Sequence, residues 1–156
     1  MSIDNVAATI RSNPIFAALT KKEAEELANH SEVQILPPDF RLFSQGEISE
    51  DMYVLFHGDL ILKVKDAVGE EMEVGMLNGG EVFGEMGVLE REPRSASIYT
   101  GTDCVILRIP GEGFYKMIEK GLPAIHLLLQ HTLEKACFRL RELDRRLDDL
   151  FNTEEG

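Results

Sequence analysis

The amino-acid sequence predicts a mainly β domain with flanking helices: a double-stranded β-helix jelly roll with N-terminal helices and a long C-terminal helix. Short apolar runs divided by Gly and Pro turn signals fill residues 33 to 110, which is typical of jelly-roll strands. Residues 1 to 32 and 111 to 156 carry apolar side chains at helical spacing instead. The 156 residues suffice for one core but not comfortably for two, so we expect one domain overall.

The N-terminal segment is expected to hold two helices. Asn13-Pro14 ends the first, because proline disrupts the backbone hydrogen bonding of a helix interior. Thr20 and Glu23 have the spacing of a capping box, in which each side chain bonds the other residue's backbone N–H. The helix that they open carries apolar residues at helical spacing, at Ala24, Leu27 and Ala28.

The central segment is expected to hold six strands, at 33–36, 52–56, 60–65, 72–76, 97–99 and 105–109. In the third of these, Leu60, Leu62 and Val64 alternate with the residues between them, as in a half-buried strand. Residues 67–70 predict a hairpin turn between the third and the fourth strand.

The C-terminal segment predicts a short helix and a long one, divided at Gly121 and Pro123. The long helix, 123–151, carries a heptad seam of apolar residues at Leu129, Leu133, Ala136, Leu140, Leu143, Leu147 and Leu150. Two interpretations of this seam stay open: a coiled-coil contact in a homodimer, which we expect, and a helix packed on its own barrel.

The charge balance argues against one class of partner. A net charge of −12 and a pI of about 4.7 oppose binding to a polyanion, so we expect no direct nucleic-acid contact. No apolar run approaches the roughly 20 residues of a membrane helix, and the N-terminus lacks signal-peptide features. We therefore expect a cytoplasmic protein without membrane contact. Cys104 and Cys137 are expected to be core thiols.

One glycine-rich segment carries residues suited to a small anionic ligand. Gly84 and Gly87 lack a Cβ, so a ligand can approach the backbone where a short helical turn begins. The first N–H groups of such a turn have no internal partner and favour a phosphate. Arg94, ten residues after Gly84, can return to the same place and offer two parallel hydrogen bonds to phosphate oxygens.

Glu85 points to a sugar beside that phosphate. A carboxylate next to a phosphate is repulsive unless it has a hydrogen-bond donor of its own, and a ribose hydroxyl supplies one. Phosphate and sugar together indicate a nucleotide, and we expect an apolar wall for its base at Leu62, Val74 and Leu77. The alternative from composition alone is a surface ion pair between Glu85 and Arg94 around a Gly-rich turn.

The same segment resembles the phosphate-binding cassette of the cyclic-nucleotide-binding domains. Their pattern is Phe-Gly-Glu-Leu-Ala, a short variable loop, then Pro-Arg-Ser/Thr-Ala; here it stands as Phe83-Gly84-Glu85-Met86-Gly87 and Pro93-Arg94-Ser95-Ala96. The similarity, to the sensor domain of the bacterial catabolite activator family, covers residues 40 to 110 and includes Gln45-Gly46-Glu47.

This resemblance implies a role for each site residue. Arg94 is expected to neutralise the cyclic phosphate and Glu85 to accept the ribose 2′-hydroxyl. Backbone N–H groups of the cassette, which also includes Met86 and Ala96, complete the phosphate site at Gly84, Gly87 and Ser95, with the Ser95 hydroxyl. The expected ligand is cyclic AMP. Cyclic GMP stays open, because Leu140 and Arg141 stand near the place of the polar pair that contacts adenine in catabolite activators. Arg139 or Arg141 either lies over the base or is solvated.

The sequence therefore predicts a cyclic-nucleotide-binding sensory or regulatory module that is not an enzyme and has no cofactor. A DNA-binding domain is expected to be absent, since the sequence stops at Glu154-Glu155-Gly156; the domain either works alone or is a piece of a larger protein. The alternative is a nucleotide-free jelly roll that acts in dimerisation or partner binding through its C-terminal helix. A cupin-like metalloenzyme is a weaker alternative, because no His-x-His motif occurs among His30, His57, His126 and His131.

Overall fold

The structure is a computed structural model that describes residues 2–154. Met1, Glu155 and Gly156, at the outer ends of the predicted segments 1–32 and 111–156, lie outside the described residues. The helices are α1 (Ile3–Ser12), a 3₁₀ turn (Pro14–Phe16), α2 (Lys21–Asn29), α3 (Glu85–Glu90), α4 (Gly111–Lys120) and α5 (Pro123–Glu154). The strands are β1 (Glu32–Leu36), β2 (Arg41–Phe43), β3 (Met52–His57), β4 (Leu60–Lys65), β5 (Glu71–Leu77), β6 (Val82–Phe83), β7 (Ser97–Thr100) and β8 (Cys104–Ile109).

Within residues 2–154 the strands form two four-stranded antiparallel sheets, with orders β1-β8-β3-β6 and β2-β7-β4-β5. Strands that are distant in sequence lie side by side in both sheets, as in a jelly roll. The predicted jelly roll with N-terminal helices and a long C-terminal helix is confirmed, and all six predicted strands are present. The sequence does not predict β2 and β6, because strands of three and two residues are too short to show an alternating pattern.

The central strands of the first sheet, β8 and β3, are buried on both faces, which gives the domain two apolar layers. Met52 and Val54 of β3 and Leu107 of β8 pack against the helices. Tyr53 and Leu55, which alternate with them along β3, belong to a second apolar cluster between the two sheets. The helices contribute Ile10, Phe16, Leu27, Phe114, Met117, Ile125 and Leu128 to the first layer.

The N-terminus of α2 has the predicted capping box. Thr20 Oγ1 accepts the Glu23 N–H at 3.2 Å, and the Glu23 carboxylate accepts the Thr20 N–H at 3.3 Å. Ala24 and Leu27 are buried and Ala28 packs partly buried beside them, as the spacing predicts. The cap and this apolar face fix α2 on the first sheet.

The buried apolar contacts of helix α5 lie along its first turns. Ala124, Ile125 and Leu128 are buried there. The predicted seam beyond them is open, since Leu133 is 66% exposed and Leu140 is 61% exposed. The seam therefore does not pack on the helix's own barrel. Along residues 2–154, no helix combines the length and the apolar character needed to cross a bilayer.

Candidate functional site

A cavity of about 160 Å³ lies between the glycine-rich segment, the second sheet and α5. Residues 84–96 form one side of it, with α3 in their first half and the return through Pro93 in their second. The structure brings nine of the ten predicted site residues to this cavity: Gly84, Glu85, Met86, Gly87, Arg94, Ser95, Ala96, Leu62 and Leu77.

Val74 is the exception, and the structure corrects its predicted place in the apolar wall. β4 and β5 form the predicted hairpin, but their register shifts between Leu62 and Lys63. Leu62 pairs with Gly75 and Lys63 pairs with Glu73, so Val74 is the extra residue of a β-bulge. Its side chain is 59% exposed and does not line the cavity.

Arg94 lines the cavity although it is only 6% exposed. Its Nη1 donates to the Gly84 carbonyl at 3.0 Å, and its Nη2 donates to the Asp51 carbonyl at 2.6 Å. The centre of the Phe43 ring lies 4.3 Å from its guanidinium carbon. Burial lowers the pKa of Arg94, but an arginine side chain keeps its charge at physiological pH. The cavity therefore contains a fixed cation that the backbone orients.

The two cassette glycines make room for this guanidinium. Gly84 precedes α3 with a φ of 75°, which strains any residue with a side chain. A Cβ on Gly84 would lie 2.8 Å from Arg94 Nη1, and one on Gly87 would lie 3.0 Å from the same atom and collide with the Ser49 carbonyl. The two glycines therefore allow the Arg94 guanidinium to approach the backbone closely.

Glu85, the first residue of α3, faces a lysine of the long helix. Lys135 Nζ lies 3.6 Å from the Glu85 carboxylate and donates to the Val82 carbonyl at 2.8 Å. The two side chains are 12% and 23% exposed, so solvent screens this ion pair only partly. Lys135 therefore connects α5 to both β6 and the cassette.

Sequence reasoning does not identify Lys135, and it leaves Arg139 and Arg141 as alternatives over the cavity. The structure places Lys135 and Arg139 in the lining, whereas Arg141 is not part of it. Lys135 lies seven residues after the buried Leu128, and Arg139 four residues further on, so all three share one helix face. That spacing is the signal that identifies both residues once the buried face of α5 is known.

The charge in the cavity has the opposite sign to the charge of the chain. Arg94, Lys135 and Arg139 line it with three positive charges against the two negative charges of Glu85 and Glu92. The chain as a whole has a net charge of −12. A local excess of cations in an acidic protein favours an anionic ligand at this place.

A second arginine supports the carbonyl that Arg94 uses. Arg108 Nε donates to the Asp51 carboxylate at 2.8 Å, and Arg108 Nη1 donates to Glu32 at 3.1 Å. The hydrogen bond to Asp51 raises the pKa of Arg108. These bonds fix the residue whose backbone oxygen accepts from Arg94, and so they help to hold Arg94 in place.

Among the described residues, no cysteine or histidine side chain lines the cavity. Cys104 is buried as predicted, but Cys137 is exposed because α5 extends past the core at that point; its prediction as a core thiol is wrong. Across the part of the chain that the structure describes, no group of three or more His, Cys, Asp and Glu side chains could hold a metal ion.

Comparison of the sequence with known proteins gives matches that agree with one another. A family model of the cyclic nucleotide-binding domain matches residues 33–120. The cyclic AMP receptor protein of Thermus thermophilus is 30% identical over 147 residues, which are 94% of this chain and 66% of that protein. The cAMP-activated global transcriptional regulator CRP of Salmonella typhimurium is 31% identical over 101 residues, 64% of this chain and 48% of that protein. The chain thus spans about half to two thirds of the length of these relatives.

Comparison of the fold with solved structures agrees with the sequence matches. The crystal structure of the Thermus thermophilus catabolite activator protein superposes with a TM-score of 0.71 at 30% identity, over 88% of this chain and 63% of that one. A cyclic nucleotide-binding domain from Methylobacillus flagellatus superposes with a TM-score of 0.72 at 18% identity, over 94% of this chain and 83% of that one. The second likeness concerns the fold alone.

Proposed function

The chain belongs to the cyclic nucleotide-binding domain family, and we propose that it is a sensory module that binds cyclic AMP in the cavity around Arg94. The nucleotide's phosphate lies against Arg94 and the start of α3, its ribose against Glu85, and its base against the apolar wall. The relatives named for cyclic AMP support this choice of base, and cyclic GMP is the alternative to be tested beside it.

The hydrogen bonding of Arg94 is the observation that best supports the proposal. A guanidinium has five N–H donors, and the carbonyls of Gly84 and Asp51 occupy two of them. The Arg94 Nε–H is buried and has no partner among the described residues. A buried donor without an acceptor is costly, and a phosphate oxygen would provide a charge-assisted one.

The start of α3 offers donors to the same phosphate. Gly84 precedes the helix and has no side chain to cap it, so no side chain accepts from the N–H groups of the first turn. Ser95 lies across the cavity in the loop before β7 and is exposed, which leaves its hydroxyl available to the ligand. The phosphate would thus be held from two sides.

Glu85 and Lys135 suit a ribose. The carboxylate of Glu85 only accepts hydrogen bonds, so a sugar hydroxyl is a matching donor. Lys135, 3.6 Å from that carboxylate, pairs with Glu85 and holds α5 close to the sugar. Ligand binding at Glu85 would therefore act directly on the contact between the cassette and the long helix.

A single substitution tests the role of Glu85. We expect Glu85→Gln to weaken cyclic AMP binding about tenfold, because a charge-assisted hydrogen bond is worth roughly 1.5–3 kcal/mol. The wild type should bind 2′-deoxy cyclic AMP more weakly than cyclic AMP, and Glu85→Gln should lose most of that discrimination. Calorimetric titration with both nucleotides measures this discrimination. Glu90→Gln, on the same helix but outside the cavity, is the matched control. Equal discrimination in Glu85→Gln and wild type would contradict the role.

The base is expected to lie against Leu62 and Leu77, with Arg139 at the same opening. The two leucines offer apolar contact, and Arg139 only donates hydrogen bonds. This combination is compatible with either purine. Calorimetric titration with both nucleotides therefore ranks cyclic AMP against cyclic GMP.

Thermal denaturation tests the proposed function. A ligand that binds only the folded state at 100 times its Kd adds about 2.7 kcal/mol of stability, which raises the Tm by about 5–10 °C for a chain of this size. We expect that rise with cyclic AMP, and little with 5′-AMP or adenosine as matched controls. No rise with millimolar cyclic AMP or cyclic GMP would favour the alternative of a nucleotide-free dimerisation protein.

We also propose that the chain forms a homodimer through the seam of α5. The seam leucines repeat every three and four residues and are exposed in the single chain, with Leu140 61% and Leu150 65% exposed. Contiguous apolar surface of this kind is uncommon on monomers. Lys135 and Arg139 lie off the seam, so a partner helix leaves them free to face the cavity.

A further inference from the structure

The buried phenylalanine Phe43 lies against the guanidinium of Arg94. Its ring centre is 4.3 Å from the guanidinium carbon, inside the range of an attractive contact between a cation and an aromatic face. The ring is 7% exposed and lines the cavity. At this burial the contact is stronger than at the surface, because water competes little for the cation.

The ring itself is held in place by other aromatic residues. Tyr53 lies 5.9 Å from Phe43 and Phe83 lies 6.4 Å from it, both tilted, and Tyr53 stacks on Phe83 at 5.1 Å. All three belong to the apolar cluster between the sheets. Phe43 is thus a rigid surface rather than a mobile side chain that happens to touch Arg94.

We propose that Phe43 is a positioning residue for the phosphate contact: its ring fixes the plane of the Arg94 guanidinium so that the free Nε–H stays available to the nucleotide. This inference rests on the proposed function. The carbonyls of Gly84 and Asp51 hold the two Nη atoms by their positions, and the ring supports one face of the group. Without the ring, the guanidinium can tilt about those two bonds, and part of the binding free energy is spent on ordering it.

The first test is a double-mutant cycle on cyclic AMP affinity. We expect Phe43→Leu to weaken binding about tenfold and Phe43→Tyr to restore it, since a phenol ring keeps the aromatic face. In an Arg94→Gln background, Phe43→Leu should change the affinity by less than about twofold. A tenfold loss in both backgrounds would overturn the proposal, because the ring would then act without Arg94.

Two variants separate positioning from packing. Ile106→Val removes a methyl group from the same apolar cluster at a residue outside the cavity, and it should leave the affinity unchanged. Replacement of Phe43 by pentafluorophenylalanine keeps the ring but reverses the charge of its face, so it should weaken binding in a folded protein. Unchanged affinity in the fluorinated protein would also overturn the proposal.

A measurement without nucleotide keeps this proposal distinct from the proposed function. The Nε–H resonance of Arg94, assigned by its loss in Arg94→Gln, should be shifted by the ring in ¹⁵N-edited NMR spectra of the unliganded wild type. The shift should vanish in Phe43→Leu and persist in Ile106→Val. The same resonance in Phe43→Leu and wild type would overturn the positioning role. A lost shift in a protein that binds no cyclic nucleotide would support positioning and reject the proposed function.

Discussion

Arg94→Ala should weaken the binding of cyclic AMP about 100-fold. Each charge-assisted hydrogen bond to the phosphate contributes roughly 1.5–3 kcal/mol, and two of them together give this factor at the lower limit. The substitution also leaves the carbonyls of Gly84 and Asp51 without their donor, so the cassette loses its shape as well as its charge. Calorimetric titration of the variant and the wild type measures the effect.

Two further variants make this prediction specific. Arg94→Lys keeps the charge but not the planar fork, so it should recover only part of the affinity. Arg91→Ala removes a positive charge from the same segment, where Arg91 pairs with Glu50 at 3.0 Å and is 71% exposed, outside the cavity. Its affinity should stay close to that of the wild type. Affinity in Arg94→Ala equal to the wild type would reject this site.

Leu140→Glu combined with Leu147→Glu should convert a dimer into a monomer. Both side chains lie on the exposed seam, at 61% and 52% exposure, so the change costs the single chain little stability. In the dimer it would bring four carboxylates into an apolar contact, where unpaired charges cost several kcal/mol. Light scattering across a concentration series should give the dimer mass for the wild type and the monomer mass for the double variant.

Phe138→Glu is the matched control for the seam. Phe138 is 64% exposed on the same helix, but it lies off the heptad positions, so its substitution should leave the dimer intact. A monomeric wild type at high concentration would contradict the dimer. Dissociation of Phe138→Glu to the same extent as the seam variant would show that another face of α5 makes the contact.

The fold could be predicted from the sequence where an element is long enough to show its periodic pattern of apolar residues. The strand at 105–109 and the hairpin of β4 and β5 each extend over several alternations, and Thr20 with Glu23 marks the start of α2 through two specific hydrogen bonds. β2 and β6 are too short for such a pattern, and they are paired by the tertiary fold rather than by a local signal.

The candidate site also has residues that the sequence predicts and residues that it does not. Gly84, Glu85 and Arg94 lie within one short segment, so their meeting is a local event that spacing can predict. Lys135 comes from a distant helix whose rotation is set by its packing on the core, and no local pattern fixes that. Val74 lies next to Gly75, the partner of Leu62, and three residues before Leu77, so the alternation of β5 places its side chain on the face opposite to the cavity.

The role of the two cassette glycines needed the structure as well. Sequence reasoning recognises that Gly84 and Gly87 allow a close approach to the backbone. Only the packing identifies the approaching group as the Arg94 guanidinium, which contacts both glycines and the Phe43 ring. Contacts within the chain itself thus hold the segment around its cation, and such preorganisation lowers the cost of binding.

A crystal structure of the protein with saturating cyclic AMP would show directly whether Arg94 holds the nucleotide. It should show one nucleotide per chain, with phosphate oxygens within hydrogen-bond distance of Arg94 and the first N–H groups of α3, and with the ribose hydroxyl on Glu85. Nucleotide bound elsewhere on the chain, or a cavity that stays empty at saturating cyclic AMP, would show that Arg94 and Glu85 do not form the binding site.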